Sequence, residues 1–239
     1  MTSSRSGNFR RSDGLTFRLP KEVTDKYTPP LAKEVETTFD FGDGNGLVPA
    51  HRHPNGGGWV ADTATVADTA HVESGARVYG VARVEGKARV HDTAQVYGSA
   101  RVDGTAQVDG DAQVGGTAWV GDDALVGGKA RVSGNARIGN GAWVGGEAQV
   151  GGKAQVYGGA HVGGTARIYD SAQVKDSARV VGDARVYGRA GVRDSAQVDG
   201  TAQVDGDAQV GGTAHVGGNA RVGCKAEITE GAHTEGVIE

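Results

Sequence analysis

From residue 60 to residue 228 every sixth position is Val or Ile, 29 positions in succession. A second column runs beside it: every sixth position from Ala64 to Ala232 is Ala, again 29 times. Two residues after the aliphatic comes Gly or, mostly, Asp or Asn, as at Gly80, Gly98, Asp122 and Asn140. The unit is A-x-[VI]-x-[GDN]-x. Small apolar, exposed, branched apolar over three residues is the period-two signature of a short half-buried strand with Ala and Val inward. Gly, Asp and Asn tolerate positive φ, so a tight corner is expected after each strand. One such side buries little alone, and stability has to come from stacking successive coils.

The outward positions fix the size of the coil. Tyr79, Tyr97, Tyr169 and Tyr187 fall in one column, spaced at multiples of 18. The outward column beside them reads Arg77, Gln95, Gln113, Arg131, Gln149, Arg167, Arg185, Gln203 and Arg221, with no other residue type. His71, His161, His215 and His233 also share a column at multiples of 18. A 12-residue period yields no such pure column, so three six-residue sides close one coil.

An aliphatic followed four residues later by a small residue, as in Val96 and Ala100 or Val150 and Ala154, resembles the repeat of the hexapeptide-repeat superfamily. The resemblance covers roughly residues 59 to 236. It implies an all-β fold, a left-handed parallel β-helix of triangular section with 18 residues per coil and about ten coils, an exception to the usual right-handed crossover. With strands stacked roughly 4.8 Å apart, the rod is about 45 Å long. The 42 glycines and 5% aromatic content would otherwise suggest disorder. Narrow corners and a thin prism require them.

Positions 1–58 have no six-residue register and hold all five prolines. Residues 1–39 are expected to be an extended arm that anchors the chain through Arg10, Arg11 and Arg18, residues 40–58 a cap over the open end of the first coil, and residues 59–239 the β-helix. The lead-in "HRHPNGGGWVADTATVADTA" is similar to the start of repeat proteins encoded by tailed bacteriophages, which implies a phage origin.

Charge excludes little. Residues 1–39 carry seven Lys/Arg against five Asp/Glu and residues 59–239 carry 17 against 22, which argues against nucleic acid as a partner. No segment is long and apolar enough to cross a membrane as a helix, and the N-terminus lacks the apolar core of a secretory signal. The expected location is a virion if the chain is phage-encoded and the cytoplasm otherwise. Cys224, the single cysteine, excludes an intrachain disulfide and stands in a corner slot usually held by Gly.

Catalytic chemistry is thin. Hexapeptide-repeat acyltransferases interrupt the prism with a projecting loop, and the column from Val60 to Ile228 has no interruption. The carbonic-anhydrase branch uses two His five residues apart, a spacing absent here. His51 and His53, two apart, read as a cap pair bonding the backbone, while His215 and His233 on adjacent coils could share an ion. "GDGNG" at residues 42–46 lacks the downstream Glu of a calcium loop and reads as a turn. Thr105, Thr117 and Thr213 occupy corners rather than a flat row, which argues against ice binding.

Two faces remain. Arg77/Tyr79, Gln95/Tyr97, Arg167/Tyr169 and Arg185/Tyr187 form either a structural ladder or a docking strip. Trp119, Leu125 and Trp143 are outward yet apolar, beside Gly121, Gly127, Gly145 and Gly163, flat ground on which another subunit could approach. The expectation is a non-enzymatic structural or interaction protein with no cofactor and no metal. It is expected to be a homotrimer, held by its arm to a larger assembly such as a phage capsid or short fibre. The alternatives are a superfamily enzyme with its site between subunits, or a phage protein that binds a host factor or nucleotide.

Overall fold

The computed structural model describes residues 8–10, 16–18 and 37–239. Residues 1–36 and 37–239 are separate compact units. In the first, β1 (Asn8–Arg10) and β2 (Thr16–Arg18) pair antiparallel with Phe9 opposite Phe17. The expected extended arm therefore contains an antiparallel strand pair, because two short triplets close in sequence can exchange ladder bonds locally. Arg10 and Arg18 lie in its strands, and Arg11 lies outside the described residues. The arm also ends earlier than expected, since Thr38 already begins the next unit's first strand, β3 (Thr38–Asp40).

The second unit is a triangular all-β solenoid of about ten coils, with no helix among the described residues. Each side of a coil contributes a two-residue strand, an outward residue followed by the aliphatic, as in Gln95–Val96. Residue i lies opposite residue i+18 on all three sides: Val96 opposite Val114, Val102 opposite Val120, Val108 opposite Val126. The Val/Ile and Ala columns are fully enclosed from Ala70 to Val222. Ladder bonds are regular, for example Arg101 N–H to Ala118 O at 2.9 Å and Asp103 N–H to Val120 O at 3.0 Å.

The corners explain the third column. Gly128 has φ +65°, and a Cβ there would stand 2.8 Å from Gly146 O on the next coil. Asp tolerates the same left-handed φ and adds a bond. Asp92, Asp170 and Asp194, with φ of 52°, 59° and 58°, accept the N–H of Gly110, Gly188 and Gly212 on the following coil at 2.9, 3.0 and 2.8 Å. Corner threonines also tie coils together: Thr165 donates to Asp183, and Thr201 donates to Gly218 O at 3.0 Å.

Ahead of the first coil the chain adds strands to one side of the prism. β4 (Leu47–Arg52) pairs antiparallel with β3 and with β5 (Trp59–Ala61), the first rung of the solenoid. One side of the prism is thus extended by two strands. The loop after β4 covers a second edge, with Gly58 N–H donating to Val72 O and Val72 N–H to Asn55 O. Phe39 stacks on Trp59 at 4.4 Å and Phe41 on Tyr79 at 4.9 Å.

At the other end the register slips. His233 lies opposite Val216 rather than His215, and Val237 opposite Arg221. The aliphatic column stops at Ile228, since Thr234 stands in its next slot, so nothing apolar holds the final coil to full length. The coil shortens, Ile238 packs against the core, and Ala232 is exposed. His215 and His233 are therefore not neighbours in one column.

Candidate functional site

The Arg/Gln column and its tyrosines lie on the side extended by the cap, here the tyrosine face. Its first part is not free to dock anything. Tyr79 is buried between Phe41 and Tyr97, whose ring stacks on it at 5.4 Å, and its hydroxyl donates to Gln95 Oε1 at 3.0 Å. Burial lifts the Tyr79 phenol above its ordinary pKa. Arg77 donates to Phe41 O at 3.4 Å and sits 5.5 Å from the Phe39 ring. The expected docking strip is thus closed at Arg77 and Tyr79 by the β3–β4 hairpin. Downstream, Arg167 and Arg185 are exposed, while Tyr169 leans across Gly151, where a Cβ would stand 2.6 Å from its Cε1.

Trp119, Leu125 and Trp143 do not share a face. Trp119 belongs to the second side, opposite Arg101 and Arg137; Leu125 and Trp143 are opposite each other on the third, the histidine face. Six residues separate Trp119 from Leu125, which is one full side of the prism. Nor are the adjacent glycines open ground. A Cβ on Gly121 would enter the Trp119 ring, one on Gly145 the Trp143 ring and one on Gly127 the Asp109 carboxylate; one on Gly163 would stand 3.1 Å from Trp143 Cζ3. Each indole covers its own coil and the next. Trp119 Nε1 donates to Asp103 Oδ2 at 3.0 Å, and Trp143 meets His161 edge-on at 4.1 Å. Burial, aided by Arg179, holds the His161 imidazole below its ordinary pKa.

The cap histidines separate. His51 faces the solvent and pairs with Asp62 at 2.8 Å. His53, past the end of β4, is buried with Nδ1 3.1 Å from Asn55 O and Nε2 unpartnered. The expected backbone bond thus holds for His53 alone. A shallow hollow beside it is lined by Asn55, Thr69, His71, Lys87, Arg89 and His91. His71 reaches Asn55 Oδ1 at 3.1 Å, and His91 lies 3.5 Å from Glu73. Sequence reading missed His91 and Glu73, although they share one outward column on adjacent coils. Among the described residues no three His, Cys, Asp or Glu side chains are grouped to hold a metal ion.

Near the C-terminal end acidic side chains beside the corners carry ion pairs. Asp207 takes Arg189 through both oxygens at 2.6 and 2.8 Å, which holds its carboxyl below the usual range, and Asp205 lies 3.5 Å from Arg221. Cys224 stands beside them, exposed in a left-handed corner at φ 52°.

A family model described as the YdcK beta solenoid repeat matches residues 130–146. That stretch covers about one coil, so the likeness is to the repeat. No curated protein and no solved structure is matched by the chain.

Proposed function

We propose that the chain is a non-enzymatic structural and interaction protein, a stiff rod that works as one part of a larger assembly. The observation that carries this reading is the unbroken ladder from Trp59 to Glu227, in which no loop projects from any coil. Outward side chains bond to a neighbouring coil instead of converging on a cleft, as Trp119 does on Asp103 of the coil before it and Tyr187 on Gln203 of the coil after it. A transferase of the hexapeptide-repeat type needs a projecting loop to grip its acyl donor. A rod needs what this chain has, a uniform core and ties at every corner.

Two further elements belong to the proposal. The rod associates as a homotrimer through the histidine face, where Leu125 and Trp143 form its half-exposed apolar strip. It attaches through its N-terminal unit, and the similarity of the lead-in to phage-encoded repeat proteins makes a virion the assembly of choice.

A capture experiment tests the attachment. Tagged full-length chain and a version beginning at Thr37 are compared for retention of the assembly from the producing cell. Loss of retention without residues 1–36, with the rod still folded, supports attachment through the N-terminal unit. Equal retention moves the docking role to the faces of the rod.

A further inference from the structure

On the tyrosine face Gln149, Arg167, Arg185, Gln203 and Arg221 stand directly opposite one another in succession. The tyrosines beside them engage the glutamine oxygens: Tyr169 donates to Gln149 Oε1 at 2.7 Å and Tyr187 to Gln203 Oε1 at 2.8 Å. What each amide has left uncommitted is its pair of N–H bonds. A guanidinium has donors only. From Gln149 to Gln203 four consecutive coils therefore offer a column of donors.

Arg167 and Arg185 are adjacent rungs with no carboxylate partner among the described residues. Like charges directly opposite each other on a sheet are unfavourable. An anion seated across the pair relieves that repulsion and adds charge-assisted bonds. The contrast on this protein is Arg83 opposite Arg101, where Arg101 is held by Glu85 at 3.0 Å and Asp103 at 2.7 Å.

The shape is a groove. The arginines line one wall, and Thr165, Asp183 and Thr201 line the other, with the groove continuing past Gln149 to Lys129, Arg131 and Glu147. Asp183 and Glu147 disfavour a ligand charged at every unit, such as a nucleic-acid strand. An extended peptide alternates its side chains. It can set carboxylates on the arginine wall and neutral side chains on the other.

We propose that this groove docks an extended acidic segment of a partner protein, with carboxylates on Arg167 and Arg185 and further acceptors on the Gln149 and Gln203 amides. The inference rests on the reading of the chain as an interaction rod and names the partner class for one face.

The test is fluorescence anisotropy of a labelled peptide of alternating Glu and Ser against the full chain, at low and at high salt. Binding is expected at low salt and should weaken as salt rises. The double variant Arg167→Gln/Arg185→Gln should bind roughly tenfold more weakly or worse, having lost two charge-assisted pairs. Its unfolding midpoint should be no lower than the parent's, since the substitutions relieve a like-charge pair. Arg83→Gln, on another face, should bind as the parent does. The proposal is overturned if the parent does not bind the peptide, if the double variant binds equally well, or if Arg83→Gln weakens binding as much. Tighter binding of a single-stranded oligothymidylate than of the peptide at the same salt also overturns it, in favour of a nucleic-acid groove. Each of these failures would leave retention of the chain in its assembly unaffected, so this inference can fall while the proposed function stands.

Discussion

The indole of Trp119 lies across Gly121 and extends over the next coil, where a Cβ on Gly139 would stand 2.8 Å from its Cζ3. The glycine is what lets a large ring lie flat on a two-residue strand. A side chain at residue 121 has to expel the ring from this seat and break the 3.0 Å bond from Trp119 Nε1 to Asp103.

Gly121→Val is accordingly expected to cost about 1–3 kcal/mol, the usual range for overpacking. Trp119 should move into water while the β signature persists. A red shift in tryptophan emission together with a lowered unfolding midpoint checks this. Gly127→Ala, whose Cβ would displace the Asp109 carboxylate and no ring, should leave the emission unchanged.

The corner aspartates give a second expectation. Asp170 combines a left-handed φ of 59° with a 3.0 Å bond to Gly188 N–H. Asp170→Gly keeps the backbone freedom and loses the bond, a cost of about 1 kcal/mol. Asp170→Ala loses the bond and also meets the left-handed penalty of roughly 1–2 kcal/mol. Unfolding midpoints should fall in the order parent, Gly, Ala. An Ala variant as stable as the Gly variant would contradict the corner account.

Much of this was legible in the sequence because the solenoid writes its geometry as columns. The Val/Ile and Ala positions gave the inward faces, and the Tyr and Arg/Gln columns gave the coil repeat that pairs Val96 with Val114. Phase says which way a side chain leaves the strand. It does not say which way the chain then bends along the rod, so the rings covering Gly121 and Gly145 were read as bare glycine ground. Trp119 and Trp143 were joined on one face by nearness in the chain, although counting six residues to a side separates them. The covering of Arg77 and Tyr79 had no signal at all, since the β3–β4 hairpin lies outside the repeat. The slip at His233 did have one, in the Thr that replaces the aliphatic at residue 234.

The aromatic stack of the cap predicts local rather than global loss. Phe41 is buried against Tyr79, and Phe41→Ala is expected to cost about 3–5 kcal/mol at the cap. In a stack of repeats with nearest-neighbour coupling that loss stays near its end. Hydrogen exchange should therefore quicken in β3, β4 and the first coil and remain slow around Val150. Uniform acceleration along the rod would contradict it.

His161 carries a pH dependence. Its folded-state pKa lies below the ordinary 6.5 because the ring is partly buried and Arg179 is near. As pH falls through that value the unfolded chain takes up a proton that the folded ring resists. Stability contributed here is present above the ordinary pKa and lost on acidification. The ring is half-exposed, so solvent screens the effect and keeps it small. Midpoints measured at roughly pH 5 and 8 should differ more for the parent than for His161→Gln.

The central claim is that this rod is a structural part of an assembly. Its most direct test is quantitative mass spectrometry of the intact complexes or particles purified from the source that makes the chain. The account predicts that the full chain is recovered in them at a fixed copy number divisible by three. Recovery only as a free soluble species, with no copies in any purified assembly, would contradict it.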